Sequence, residues 1–211
     1  MAITGGTAEE IIALSPDIVL ASSFIAPATR RALERAGLRV ETFDSPTRVD
    51  DSVEQIRRIA ELAAARESAE PLIAEMRTKP EREIAMPAGP AADRPTALLW
   101  QPGQIVPGRD TLISQLLREA GFASHSERRG LGQADYVSLE KVLADPPDLL
   151  LVAGDSRAQQ HPLLEDIPGT LVEPFETNLL FCAGPTIPKV RSRLAAIHDR
   201  MVGEPAGKGA R

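Results

Sequence analysis

Apolar and polar positions along this 211-residue chain form one pattern that occurs twice. Residues Glu9–Leu20 align without gaps with Glu140–Leu151. Each copy begins with a short amphipathic helix that ends before Pro-Asp, because proline disfavours the α conformation in the residue before it and lacks an N–H. A continuous apolar run follows, Ile18–Ala21 in one copy and Leu149–Ala153 in the other, as is typical of a parallel strand covered on both faces. The repeat predicts two similar α/β lobes, with Asp17–Ala21 and Leu149–Ala153 as central strands of separate sheets.

Each copy continues into a second helix and a second strand. The first copy predicts a helix over Pro27–Ala36 and a strand over Leu38–Phe43. The second copy predicts a helix over about Pro162–Ile167 and a strand over Thr170–Val172.

The segment between the copies has helical spacing instead. Apolar residues from Val53 to Ala63 recur at helical intervals, and a second helix is predicted over about Ser68–Glu83 before a Pro/Ala/Gly-rich linker. After the linker we expect a strand at Thr96–Trp100, a helix at Asp110–Ala120 and a final helix at about Pro188–Met201. The predicted domains are a partial N-terminal α/β lobe (1–47), a helical spacer and linker (48–92), a C-terminal α/β lobe (93–203) and a flexible tail (204–211).

Composition narrows the possible functions. Hydrophobic residues make up 43% of the chain, the formal net charge is −6, and there is no Lys/Arg run of the kind that binds nucleic acid. The three histidines have no metal-ligand spacing, and the one cysteine, Cys182, is predicted to be a buried, inert thiol. We therefore expect no catalytic residue, no metal site and no cofactor.

The most informative polar residues follow the predicted strands, because open α/β sheets bind ligands at the carboxyl ends of their strands. Trp100 is the only tryptophan, and its flat indole suits a macrocycle or an aryl chelate. A core tryptophan at a strand end is an equally good interpretation. Arginine side chains nearby could pair with ligand carboxylates. The predicted ligand-binding residues are Ser22, Phe24, Trp100, Gln101, Arg109, Tyr136 and Arg157.

Several segments together resemble a known family. The twin units, the helical spacer, the loop 100–112, the stretch from Leu116 through Glu140 and the segment 182–185 are similar to the periplasmic binding proteins for iron-siderophores, haem and cobalamin. The resemblance implies two Rossmann-like α/β lobes joined by a long helix, with a metal chelate between them. It also implies a monomer that docks on an inner-membrane ABC importer permease dimer through one glutamate on each lobe. The matching positions are Glu9 and Glu140, which the internal repeat superposes.

The N-terminus departs from the family pattern. Family members begin with a signal peptide and further strands of the first lobe, whereas Met1 aligns within that lobe. We therefore expect an incomplete first lobe, an exposed strand edge and self-association of the 211-residue form. The implied location is the periplasm for a full-length member, or the cytoplasm if the protein starts at Met1.

Two alternatives to a transport receptor stay open. Metal chelatases have a similar two-lobed build, but would need a His/Glu pair facing the ligand. A non-functional truncated copy is the other alternative.

Overall fold

The computed structural model describes residues 5–78, 94–132, 134–180 and 183–203. The chain divides into two compact units, which we call unit one (Met1–Ser45) and unit two (Pro46–Arg211). Cys182 lies outside the described residues.

Unit one consists of two helices and a two-stranded parallel sheet. Val19 lies opposite Val40 in this sheet, and Ser22 lies opposite Phe43. Leu33, on the second helix, is fully buried. The elements are α1 (Ala8–Ala13), β1 (Val19–Ser22), α2 (Pro27–Arg35) and β2 (Val40–Phe43).

Unit two is built around a four-stranded parallel sheet with the strand order β5–β3–β7–β8. A separate antiparallel ribbon pairs β4 with β6. The strands are β3 (Thr96–Trp100), β4 (Ile105–Val106), β5 (Ala123–Ser124), β6 (Asp135–Tyr136), β7 (Leu149–Ala153) and β8 (Leu171–Phe175). The helices are α3 (Val49–Leu62), α4 (Arg66–Arg77), α5 (Leu112–Glu119), α6 (His125–Arg128), α7 (Leu139–Ala144) and α8 (Ile187–Gly203).

The sheet of unit two is buried on both faces, which explains the continuous apolar composition of β3 and β7. On one face, residues such as Leu99 and Leu151 pack with α3, α4, α5 and α8. On the other face, Leu98 and Leu150 pack with Val142 of α7 and with Trp100. Residues on β3 and β7 therefore alternate between two separate hydrophobic clusters.

A buried polar network joins the helices of the spacer to α5 and α8 within unit two. The guanidinium of Arg191 on α8 pairs with Glu119 on α5 at 2.9 Å and donates to the carbonyl of Met76 on α4. Glu119 also accepts from the Gln115 amide at 2.7 Å, and Gln115 accepts from the backbone N–H of Val49 at 3.0 Å. Four helices are thus joined through a single chain of hydrogen bonds.

The repeat prediction is confirmed in its main feature, since β1 and β7 lie in separate parallel sheets. The expectation that β1 is a central strand is wrong. Within the part of the chain that the structure describes, its sheet has two strands, and Leu20 is 45% exposed because one partner strand leaves its side chain uncovered.

Two helix predictions also need correction. The predicted helix at Pro162–Ile167 is only a 3-10 turn at Pro162–Leu164, and the spacer helix α4 begins at Arg66 and ends at Arg77.

Candidate ligand-binding edge

The chain reverses direction immediately after β3. The backbone N–H of Gln101 donates to the Ile105 carbonyl at 2.8 Å, which closes a tight turn. Gly103 and Gln104 have φ angles of 73° and 62° in this turn. A left-handed φ is uncommon for a residue with a side chain, so Gln104 is held there by its surroundings. The turn brings β4 back along the carboxyl end of β3.

The β4–β6 ribbon displays two large side chains to solvent. Ile105 lies directly opposite Tyr136, so both side chains project from one face of the ribbon. Ile105 is 38% exposed and Tyr136 is 57% exposed. The Tyr136 hydroxyl donates to Oε1 of Gln104 at 3.0 Å, which fixes the direction of the phenol ring. Tyr136 is therefore accessible, and Ile105 and Gln104 belong to the same edge.

Trp100 lies beneath this ribbon and is fully buried. Its Nε1–H donates to the carbonyl of Val137 at 2.8 Å, directly after β6. The expectation that its indole stacks on a ligand is therefore corrected in favour of the core interpretation, because neither its faces nor its donor is free. Trp100 instead anchors the segment that carries Tyr136.

The loop after β7 packs against the turn after β3. A Cβ on Gly154 would lie 2.8 Å from Pro102 and 2.9 Å from the side chain of Gln159. The Gln159 amide donates to the carbonyls of Ala153 and Trp100, and its oxygen accepts from the N–H of Ser156 at 3.0 Å. Gln159 therefore fastens the carboxyl ends of β3 and β7 together.

Arg157 is exposed within the same loop, between Ser156 and Gln159. Gln101, at the start of the neighbouring turn, is partly buried. The fastening of the two loops by Gln159 therefore places one exposed guanidinium on the loop that adjoins the β3 turn.

Arg109 is exposed but already has an anionic partner. Its Nε lies 3.1 Å from Oε1 of Glu127, and Arg118 binds the other carboxylate oxygen at 3.0 Å. A ligand carboxylate would have to compete with Glu127 for this guanidinium.

Ser22 and Phe24 belong to unit one and follow β1. Phe24 is 80% exposed, the largest exposure among the big apolar side chains that the structure describes. The Ser22 hydroxyl accepts from the Phe24 N–H at 3.2 Å, so the serine shapes the turn that presents the ring.

Each of the three histidines contacts neighbouring residues of unit two. His125 is buried, and this burial, together with the Arg129 and Arg128 charges, lowers its pKa to about 4. His198 is buried edge-on against Phe122 with ring centroids 5.2 Å apart. His161 accepts the Leu163 N–H through Nδ1 at 3.2 Å. Among the described residues, no group of three or more His, Cys, Asp or Glu side chains is placed to hold a metal ion.

Glu9 and Glu140 occupy equivalent exposed positions. Each is the second residue of a six-residue helix, preceded by a hydroxyl residue at the N-cap, Thr7 in α1 and Ser138 in α7. The backbone N–H of Glu140 and the Ser138 hydroxyl hold the pKa of the Glu140 carboxyl below its usual value. The carboxylate at this position stays ionised and accessible.

Sequence reasoning missed Gln104, Ile105 and Gln159. Strands are recognised in a sequence by the alternation of apolar and polar residues. A two-residue strand is too short to show this alternation, so the sequence did not predict the ribbon. Gln159 acts through backbone carbonyls that only the folded loops bring together.

Comparisons with known proteins identify the family. No described helix is long and apolar enough to cross a bilayer, and no curated protein matches the chain. Among solved structures, the apo haem-binding protein RhuT from Roseiflexus sp. RS-1 is 25% identical with a TM-score of 0.70, over 92% of this chain and 80% of that one. BhuT in complex with two haems is 23% identical with a TM-score of 0.70, over 93% of this chain and 79% of that one.

A third solved structure comes from an ABC-type Fe³⁺-hydroxamate transport system of Saccharomonospora viridis DSM 43017. It is 24% identical with a TM-score of 0.64, over 97% of this chain and 73% of that one. The family model for periplasmic binding proteins matches residues 2–168. The chain therefore belongs to the periplasmic binding protein family.

Proposed function

We propose that this protein is the substrate-binding component of an ABC importer, that it works in the periplasm, and that it captures a metal chelate for delivery to the permease. Family membership supports the binding role. The haem and Fe³⁺-hydroxamate systems among its relatives support a chelate as cargo. The observation that carries the proposal is the edge of unit two, where Tyr136, Ile105 and Arg157 are exposed beside the carboxyl ends of β3 and β7.

Ligand binding is tested with coloured chelates on the purified 211-residue chain. Haemin, a ferric trihydroxamate and cobalamin are titrated separately and followed by absorbance difference spectra. We expect saturable one-to-one binding of one of these classes, and serum albumin serves as a control for nonspecific uptake of haemin. If none of the three chelates binds saturably, the proposed function is refuted.

Unit one supplies a second set of predicted ligand contacts in Ser22 and Phe24. The exposed ring of Phe24 offers apolar area that a bound chelate could cover. Phe24→Ala should weaken chelate binding without lowering the melting temperature, because the ring contributes little to the core of unit one.

Docking on the permease is assigned to Glu9 and Glu140. Both carboxylates are exposed on helix starts, where the helix dipole favours negative charge. Charges at the rim of an interface govern the association rate and its salt dependence more than fold stability. These two positions are therefore suited to meet cationic side chains of a partner.

The docking assignment is tested by the double variant Glu9→Ala with Glu140→Ala. Chelate affinity and melting temperature should be unchanged, whereas chelate uptake through the cognate permease in proteoliposomes should fall sharply, with a larger deficit at low salt. The matched control is Glu70→Ala with Glu165→Ala, which removes two exposed glutamates elsewhere. Normal uptake by the first double variant, or an equal loss in the control, would reject the assignment.

A further inference from the structure

We propose that β1 of unit one is an interaction surface for a second copy of this chain, with the two β1 strands paired antiparallel about a twofold axis at Leu20. This inference goes beyond the proposed function and does not depend on the ligand. It is carried by the free edge of β1 and by the exposed leucine within that strand.

The backbone of β1 has hydrogen-bonding groups on the side away from β2. The N–H of Val19 donates to the carbonyl of Arg39 on the β2 side at 2.8 Å. Successive residues of a strand direct their N–H and C=O groups to opposite edges, so Leu20 and Ser22 direct theirs away from β2. The Ser22 carbonyl accepts the N–H of Ile25 at 2.9 Å, whereas no strand of the described residues lies beside Leu20 on that edge. Leu20 can therefore exchange two backbone hydrogen bonds with its equivalent in a second copy.

The side chains at this edge offer apolar surface. Leu20 is 45% exposed, and Phe24, two residues after the strand, is 80% exposed. Among the described residues of unit one, only Ala8 and Leu33 are buried apolar residues. A unit this small buries little apolar surface and commonly needs association with a partner for stability. Antiparallel pairing places the two Leu20 side chains opposite each other, with Cβ atoms about 5 Å apart.

The distribution of charge suits pairing of the strand with its own copy. Residues 18–26 include no charged side chain, so a twofold axis within this run brings no like charges together. The nearest charge along the chain is Asp17, three residues before Leu20. In this register Asp17 lies opposite Ser23 of the second copy and not opposite another carboxylate.

The other outer strands of the described structure carry features that oppose such pairing. On β8, Pro174 has no N–H, and its carbonyl accepts from Arg193 at 3.2 Å. β2 contains Glu41 and is flanked by Arg39 and Asp44. The strands β4, β5 and β6 have two residues each. Because β1 has none of these features, it is the edge that the structure favours for pairing.

The contact is expected to give a reversible dimer. A four-residue strand with one leucine and one adjacent ring buries less than about 800 Å² per partner, the area typical of a stable complex. A twofold contact uses the same edge of both copies, so association through β1 stops at the dimer and does not continue into a fibre.

Sedimentation equilibrium of the purified 211-residue chain, from low to high micromolar concentration, tests the proposal. We expect a monomer–dimer equilibrium, and Leu20→Lys should raise the dimer Kd about tenfold or more, because it removes the apolar contact and opposes two like charges. Leu20→Pro should have the same effect, since it removes the outward N–H. The matched control is Leu163→Lys, which makes the same charge change at a 54% exposed leucine of unit two and should leave the Kd unchanged.

Thiol cross-linking locates the contact. In a Cys182→Ser background, Leu20→Cys should give a covalent dimer with a short bismaleimide, whereas Leu163→Cys should stay monomeric. Circular dichroism establishes that each variant is folded, and Leu20→Lys decides the test if Leu20→Pro does not fold.

Three results would overturn the proposal. The first is a wild-type chain that stays monomeric at high micromolar concentration. The second is a dimer that Leu20→Lys leaves intact, because the copies then associate through another surface. The third is an equal loss of the dimer in Leu163→Lys, which would make the effect one of net charge and not of the β1 edge.

Discussion

Replacing Arg191 by Met tests whether the helical spacer is held to the rest of unit two mainly by one buried guanidinium. Arg191 is 5% exposed and pairs with Glu119 at 2.9 Å. It also donates to the Met76 carbonyl at the end of α4. Methionine replaces the aliphatic stem of the arginine but carries no charge and no donor, so the substitution removes mainly the polar contacts.

The expected cost follows from those contacts. Removing one partner of a buried ion pair costs about 3–5 kcal/mol, because the other charge is left unpaired. Glu119 retains some exposure and a hydrogen bond from Gln115, which places the expected loss near the lower end, at about 3 kcal/mol. Glu119→Gln should cost a similar amount, about 3 kcal/mol, because the guanidinium of Arg191, which is 5% exposed, is then left without an anionic partner.

Urea unfolding followed by circular dichroism measures both losses. Arg200→Met on the same helix is the matched control, because Arg200 is half exposed in its pair with Glu173 and should contribute at most about 1 kcal/mol. Hydrogen exchange should also show α4 losing protection in the Arg191 variant before the sheet does. If Arg191→Met costs no more than Arg200→Met, the network does not hold the spacer.

Three further predictions concern buried groups of unit two. Because burial lowers the pKa of His125 from 6.5 to about 4, the unfolded state takes up a proton first as the pH falls. The free energy of unfolding should decline from pH 7 to 4, by at most about 3 kcal/mol, and His125→Gln should flatten that decline in urea titrations at each pH. Trp100→Phe should cost about 2 kcal/mol, because it leaves the buried Val137 carbonyl without its donor; thermal melting measures this loss. Gly108→Ala should lower the melting temperature or prevent folding, because its Cβ would collide with the backbone of Gly132.

Sequence pattern predicted the elements of unit two that bury continuous apolar runs. The bounds of β3 and β7 are as expected, because a strand covered on both faces has an apolar residue at every position. The same reasoning failed for β1, whose run looks similar but whose alternate side chains are exposed. The apolar pattern indicates which residues form a strand, but it does not indicate how many other strands pair with that strand.

The candidate site was less predictable than the fold. Proximity to predicted strand ends selected Gln101 and Arg157 as candidates, but it could not distinguish a tryptophan that faces a ligand from one that belongs to the core. That distinction depends on the Val137 carbonyl, 37 residues further along the chain. Long-range hydrogen bonds of this kind leave no local signal in the sequence.

The internal repeat and the exposed β4–β6 ribbon occupy different parts of the chain. Glu9 and Glu140 lie inside the repeat, at the same position of the same short helix. Under the proposed docking role, equivalent glutamates in the two copies of the repeat suit a twofold-symmetric partner, which presents the same surface twice. A chelate has no need of that symmetry. Ile105 and Tyr136 lie between β3 and α7, outside the aligned copies Glu9–Leu20 and Glu140–Leu151, so substitutions there leave both glutamates in place.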